Sequence, residues 1–121
     1  MARILVVDNE QEIRDLSADM LRIEGYIVDT AKYGDEALED AECNDYDLAL
    51  VDLVLPGDLN GLDVIEKLRS MAPDMRIIAT TGFGSVDIAN KAVKAGANEF
   101  MTKPFWSKRL IDTVNKLLEK K

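Results

Sequence analysis

The sequence predicts an α/β domain built on a doubly wound, five-stranded parallel sheet in the order 2-1-3-4-5. Three observations carry this reading. Short runs rich in Ile, Leu and Val occur five times and alternate with five helical segments, with no linker, repeat or low-complexity stretch between them. The runs are apolar rather than alternating, as befits strands covered by helices on both faces. Five strands joined by right-handed crossovers suit the 2-1-3-4-5 order better than a six-stranded dinucleotide fold. At 121 residues the chain is expected to be one domain, residues 1–121, large enough to bury a core of its own.

The first strand is read over residues 3–8, closing on Asp8. Asn9 and Glu10 break it, and a helix follows with Ile13, Leu16, Met20 and Leu21 at helical spacing and Glu12, Arg14, Asp15, Asp19 and Arg22 on the other face. Gly25 ends that helix as a left-handed cap. A weaker strand covers residues 27–31, and after Gly34 a short helix, residues 35–43, packs through Ala37, Leu38 and Ala41.

The central run, residues 48–56, is the most apolar and reads as a strand buried on both faces. An irregular loop, residues 56–61, leads to a helix over 62–71 that rests on Leu62, Ile65 and Leu68, with Pro73 marking its end. A fourth strand covers 76–80 and leads into Thr81 and Gly82. The helix over 85–95 presents Val86, Ala89 and Val93, and Gly96 stops it. A short fifth strand over 98–101 leaves through Thr102, Lys103 and Pro104. The last helix, 107–119, carries Leu110, Ile111, Val114, Leu117 and Leu118.

A carboxylate inside the central strand would be costly to desolvate, so Asp52 is placed where that strand emerges, on the edge at which such sheets bind ligands. In the 2-1-3-4-5 order the first and third strands flank the switch point, which brings Asp8 and Asn9 beside Asp52. Thr81 and Lys103 leave the fourth and fifth strands on the same edge. Two carboxylates without histidine or cysteine make a poor zinc site and a reasonable Mg²⁺ site. An ammonium and a hydroxyl beside them suit phosphoryl oxygens, so Asp52 is the candidate nucleophile toward phosphorus and Thr81 and Lys103 its supporting groups. Glu10 and Glu12 read as solvated, with Glu10 near enough to matter electrostatically.

Composition narrows the field. A net charge of −8 disfavours direct binding to nucleic acid or anionic membrane. There is no histidine, so any histidine chemistry belongs to a partner, and the single Cys43, in a helical apolar neighbourhood, reads as inert filler. No signal-peptide pattern precedes Arg3 and no apolar run reaches about 18 residues, so a cytoplasmic location is expected. No P-loop run, dinucleotide fingerprint or cysteine-phosphatase loop is present.

Together, Ile4-Leu5-Val6-Val7-Asp8, Asp52 with Pro56, Thr81-Gly82 and Lys103-Pro104-Phe105 resemble the receiver domains of two-component response regulators over essentially the whole chain. The resemblance implies a flavodoxin-like, CheY-like (βα)5 three-layer sandwich. It implies a signalling switch that takes a phosphoryl group from a histidine kinase or histidine phosphotransfer protein onto Asp52, with self-catalysed phosphorylation and dephosphorylation rather than a dedicated enzymatic activity. Asp8, Asn9, Asp52 and the Val54 carbonyl would surround Mg²⁺. Thr81 and Lys103 would contact the phosphoryl group, and the Lys103–Pro104 peptide would be cis. Thr81 and Phe100 would switch the face formed by the fourth helix, fifth strand and fifth helix. Lys91, Lys94, Lys108 and Arg109 make that side less acidic than the rest, as a docking surface for an output domain or effector. The implied state is a monomer or a weak phosphorylation-dependent dimer. This sequence departs from the family pattern at Asn9, where an acid is usual, and in a 56–61 loop one residue longer. Those departures keep a second reading open, a constitutive adaptor with the receiver fold and little or no phosphorylation.

Overall fold

A computed structural model describes residues 2–104 and 107–119. The chain alternates strictly as β1 (Arg3–Val7), α1 (Gln11–Ile23), β2 (Ile27–Ala31), α2 (Gly34–Cys43), β3 (Leu48–Asp52), α3 (Gly61–Met71), β4 (Arg76–Thr81), α4 (Val86–Ala95), β5 (Glu99–Thr102) and α5 (Ser107–Leu117). All pairings are parallel and the order is β2-β1-β3-β4-β5, as expected from the sequence. Phe105, the last residue of the Lys-Pro-Phe run, lies outside the described residues.

Because successive side chains of a strand point to opposite faces, each strand feeds two cores. Leu5, Val7, Ala49, Val51 and Ile77 pack with Ala37, Ile65, Leu68 and Ala92 beneath α2, α3 and α4. Ile4, Val6, Leu48, Leu50 and Ile78 pack with Leu21, Leu110 and Val114 beneath α1 and α5. Every residue of β3 is buried, so its apolar composition follows from its central place in the sheet.

Several elements end elsewhere than the sequence suggests. β3 stops at Asp52 rather than continuing toward Pro56: the Leu53 N–H makes the last bond to β4, at the Thr80 carbonyl, and Asp52 Oδ1 then accepts the Val54 N–H in a turn. β1 stops at Val7, which leaves Asp8 just past the strand. β4 extends to include Thr81, β5 is Glu99–Thr102, and α5 ends at Leu117. Gly25 and Gly96, with φ of 97° and 127°, end α1 and α4; the sequence predicts the left-handed cap at Gly25, and at Gly96 it predicts the stop alone.

Two helix faces are corrected. On α1, Leu16 is exposed and the contact is made by Ser17, Ala18 and Leu21. On α4, Val86 and Val93 are exposed and Ala92 and Ala95 are buried. In both helices small residues allow close approach to the sheet, and their weak hydrophobicity hid the packed face behind larger neighbours. Cys43 is likewise exposed at the end of α2, not filler within an apolar neighbourhood. Arg69 ties the lower ends together: its guanidinium donates to the carbonyls of Pro73 and Gly96 and to Asn98 Oδ1, joining the end of α3 to the end of α4 and the start of β5.

Candidate functional site

The site is assembled at the carboxyl edge of the sheet, where the central strands part. Val7 and Val51 are register partners, so the next residues, Asp8 and Asp52, emerge side by side. Each is held by a short-range hydrogen bond through one oxygen. Asp8 Oδ1 accepts the Glu10 N–H at 2.8 Å, and Asp52 Oδ1 accepts the Val54 N–H at 3.0 Å. Their second oxygens meet one ammonium: Lys103 Nζ lies 2.8 Å from Asp8 Oδ2 and 3.0 Å from Asp52 Oδ2. Lys103 arrives from beyond β5, its N–H bonded to the Thr81 carbonyl at 2.7 Å, and its peptide bond to Pro104 is cis.

Both aspartates are almost fully buried, and the Lys103 side chain is only 11% exposed. Burial pulls the Lys103 ammonium down, but the hydrogen bonds and negative charge of Asp8 and Asp52 outweigh it, so its pKa is raised above the ordinary lysine value. Lys103 is therefore a fixed positive charge between two carboxylates.

Glu10 joins this group. Its Oε1 lies 3.4 Å from Lys103 Nζ, and one carboxylate oxygen from each of Asp8, Glu10 and Asp52 lies within 4.8 Å of the others. Three hard oxygens converging on a position already attractive to a cation can coordinate a divalent metal. From its position in the sequence Glu10 reads as a solvated residue near enough to the site to matter electrostatically, and here it stands within the acidic group. The signal was its place two residues after Asp8, in a turn that the Asp8 carboxylate itself closes.

The other candidates divide. Asn9 is exposed on that turn. Val54 is exposed with its N–H directed to Asp52. Thr81 is buried at the end of β4, with its Oγ1 accepting the Phe83 N–H at 3.2 Å, so here the hydroxyl oxygen serves the turn. Phe100 is half-buried on β5, in register with Ala79 and packed on the core beneath α4. Gly61, which the sequence placed only in a loop, has a positioning role. A Cβ there would lie 2.2 Å from the Asp52 carbonyl oxygen and 2.4 Å from Leu53 Cα, so only glycine lets α3 start against the end of β3.

The family profile of the response regulator receiver domain matches residues 4–115. The chain is 31% identical over 116 residues to the chemotaxis protein CheY of Thermotoga maritima, covering 95% of this chain and 96% of that protein. It is 34% identical over 117 residues to the nitrogen assimilation regulatory protein NtrX of Azorhizobium caulinodans, covering 96% of this chain but 26% of that protein. The chain thus spans roughly a quarter to a half of the length of several curated relatives it matches. Among solved structures, the beryllofluoride-activated NtrC4 receiver domain dimer superposes with a TM-score of 0.92 at 38% identity, covering 99% of this chain and 98% of that one. NtrX from Brucella abortus superposes with a TM-score of 0.92 at 36% identity, covering 98% of this chain and 27% of that one. Strand order, site geometry and sequence similarity agree over nearly the whole length, and the chain belongs to the response regulator receiver domain family.

Proposed function

We propose that residues 1–121 form a receiver domain that accepts a phosphoryl group on Asp52 and uses it to change the surface of α4, β5 and α5. The observation that carries this is the Lys103 ammonium clamped between Asp8 and Asp52. It holds the two carboxylates together and presents a positive charge where phosphoryl oxygens would arrive. An Asp52 carboxylate oxygen attacks phosphorus, the bond from phosphorus to a donor imidazole nitrogen breaks, and the electron pair leaves with the imidazole. This chain has no histidine, so the phosphohistidine comes from a histidine kinase or histidine phosphotransfer protein.

Asp8, Asp52 and Glu10 are the side chains that would hold Mg²⁺, with Val54 offering its backbone carbonyl and Asn9 at most a neutral amide oxygen. When bound, the ion neutralises negative charge between the entering phosphoryl group and the acids. Lys103 neutralises a further share as it exchanges a carboxylate oxygen for a phosphoryl oxygen. Thr81 Oγ1 accepts the Phe83 N–H, so a Thr81 hydroxyl drawn toward the phosphoryl group would pull on that turn, which links phosphorylation to the β4–α4 loop. Phe83, Val86 and Val93 already expose apolar surface there, and Phe100 packs just behind it.

Amide chemical shifts recorded with and without a stable phosphoryl mimic and Mg²⁺ test this reading. Changes at residues 81–86 that spread across α4, β5 and α5 are expected, and changes confined to residues 11–45 would contradict it. The exposed Asn9 favours the adaptor reading. That reading predicts identical partner affinity for the wild type and Asp52→Asn under phosphorylating conditions.

A further inference from the structure

The net charge is not spread over the molecule. Residues 33–71 carry eleven Asp and Glu against two Lys and Arg, whereas the rest of the chain carries twelve against thirteen. The entire excess of −8 therefore lies on the third of the chain that builds α2, β3 and α3. One of its two bases, Arg69, is committed to backbone carbonyls. Among the described residues, no acid of α2 or α3 forms an ion pair, although five other regions of the surface do pair their charges.

The face that α2 and α3 present is grooved. A cavity of about 440 Å³ opens between the β2–α2 and β3–α3 loops over Pro56 and Leu59. A second, of about 710 Å³, runs between α2 and α3 over Leu38, Leu59 and Met71, with Glu42 and Glu66 on its rims and Lys67 beside Glu66. Leu59 lines both, so the two form one furrow from the loop after Asp52 to the far end of α3. Its floor is apolar, Met71 is 42% exposed, and its rims carry Asp35, Glu42, Asp58 and Glu66 against the single base Lys67.

We propose that this furrow docks a basic amphipathic helix of a partner protein. α3 is 11 residues long, about 16 Å, which matches a partner helix of about three turns. Such a helix would seat apolar side chains at i, i+3 or i+4 and i+7 on Leu38, Leu59 and Met71, and set Lys or Arg against Glu42 and Glu66. Charge decides among occupants. Nucleic acid and anionic lipid are repelled. A second copy meeting face to face would set two acidic surfaces together, because a two-fold interface pairs a patch with itself. A basic helix alone satisfies both floor and rims, and uses the unpaired acids for attraction and register. This role is independent of phosphorylation at Asp52, since the furrow is present without it.

The test uses the unphosphorylated full chain and a synthetic helical peptide with leucines at i, i+3 and i+7 and lysines flanking them. The expected result is amide shift changes at residues 34–43 and 56–71. Affinity should fall about tenfold or more in the Glu42→Lys, Glu66→Lys double variant, and in Met71→Ser by a smaller factor. These residues are exposed, so the variants should fold, and their own amide spectra verify it. Shifts confined to α1 or to α4, β5 and α5 would overturn the proposal. So would unchanged affinity in the double variant, or equal binding of a peptide with serines for leucines, which would mark mere charge attraction. Sedimentation of the chain alone should show a monomer with respect to this face. Self-association abolished by Glu66→Lys would make a second copy the occupant and overturn the partner assignment.

Discussion

The Cα of Gly61 stands so close to the end of β3 that a Cβ on it would lie 2.2 Å from the Asp52 carbonyl oxygen. The first turn of α3 therefore rests directly on the backbone of the candidate phosphoacceptor. The Gly61 N–H donates to the Leu53 carbonyl at 3.1 Å, and the Asn60–Asp63 capping box fixes the same turn. The clash is with backbone, so no rotamer change relieves it.

Gly61→Ala is accordingly expected to destabilise the domain by about 2–3 kcal/mol, the scale of overpacking a closed site. It should also shift the Asp52, Leu53 and Val54 amides. Urea unfolding and amide spectra check both. A loss below about 0.5 kcal/mol, no larger than an ordinary surface change, would show that α3 can move away at little cost.

Lys103→Met would leave Asp8 and Asp52 facing each other without their shared cation. Stability without divalent cation should fall by about 3 kcal/mol, the low end of the ~3–5 kcal/mol typical of a broken buried pair. Saturating Mg²⁺ should restore part of it by linkage. The folded-state pKa of Lys103 is raised, so its contribution is complete below the ordinary lysine pKa and is lost only as pH rises through the folded value. The deficit of the variant should therefore be constant from neutral pH into the mildly alkaline range. A deficit that shrinks there would contradict the pairing.

Asn9→Asp adds a carboxylate beside Asp8 and Glu10. Calorimetric titration should show Mg²⁺ bound several-fold more tightly, since a further negative charge beside Asp8 and Glu10 attracts the cation even from an exposed position. Without metal the variant should be slightly less stable. Equal or weaker binding would show that position 9 does not face the cation.

At the opposite edge of the sheet, the Tyr46 hydroxyl donates to Asp29 Oδ2 at 2.6 Å, and Arg3 donates to the same oxygen. The Tyr46 hydrogen bond, offset by burial and assisted by Arg3, holds the Asp29 carboxyl below its ordinary range. A lowered folded-state pKa gives stability that is present above the ordinary carboxylate value and lost as pH falls through the folded value. Tyr46→Phe should thus cost about 1 kcal/mol at neutral pH and less in acid, where the wild type loses the same contribution. Denaturation at several pH values checks this, and a cost that grows in acid would contradict it.

The strand order and the positions of Asp8, Asp52 and Lys103 were legible in the sequence because buried parallel strands write continuous apolar runs and the acids interrupt their ends. The packed faces of α1 and α4 were not. Ser17, Ala18, Ala92 and Ala95 make the close contacts, while Leu16, Val86 and Val93 dominate any hydrophobic pattern and yet face outward. Glu10 was hidden for a different reason. Its reach to Lys103 depends on the Asp8 turn and on a lysine 93 residues away, which no local pattern encodes. The roles of Gly61 and Arg69 also arise from contacts between elements, which spacing along the chain does not report.

Phosphoryl transfer to Asp52 is tested most directly by intact mass after incubation with a small acyl-phosphate donor, with and without Mg²⁺, beside a competent receiver domain as control. The wild type is expected to gain one phosphoryl group only when Mg²⁺ is present. Asp52→Asn, its fold verified by circular dichroism, should gain none. An unchanged wild-type mass while the control is labelled, or equal labelling of Asp52→Asn, would contradict Asp52 as the phosphoacceptor.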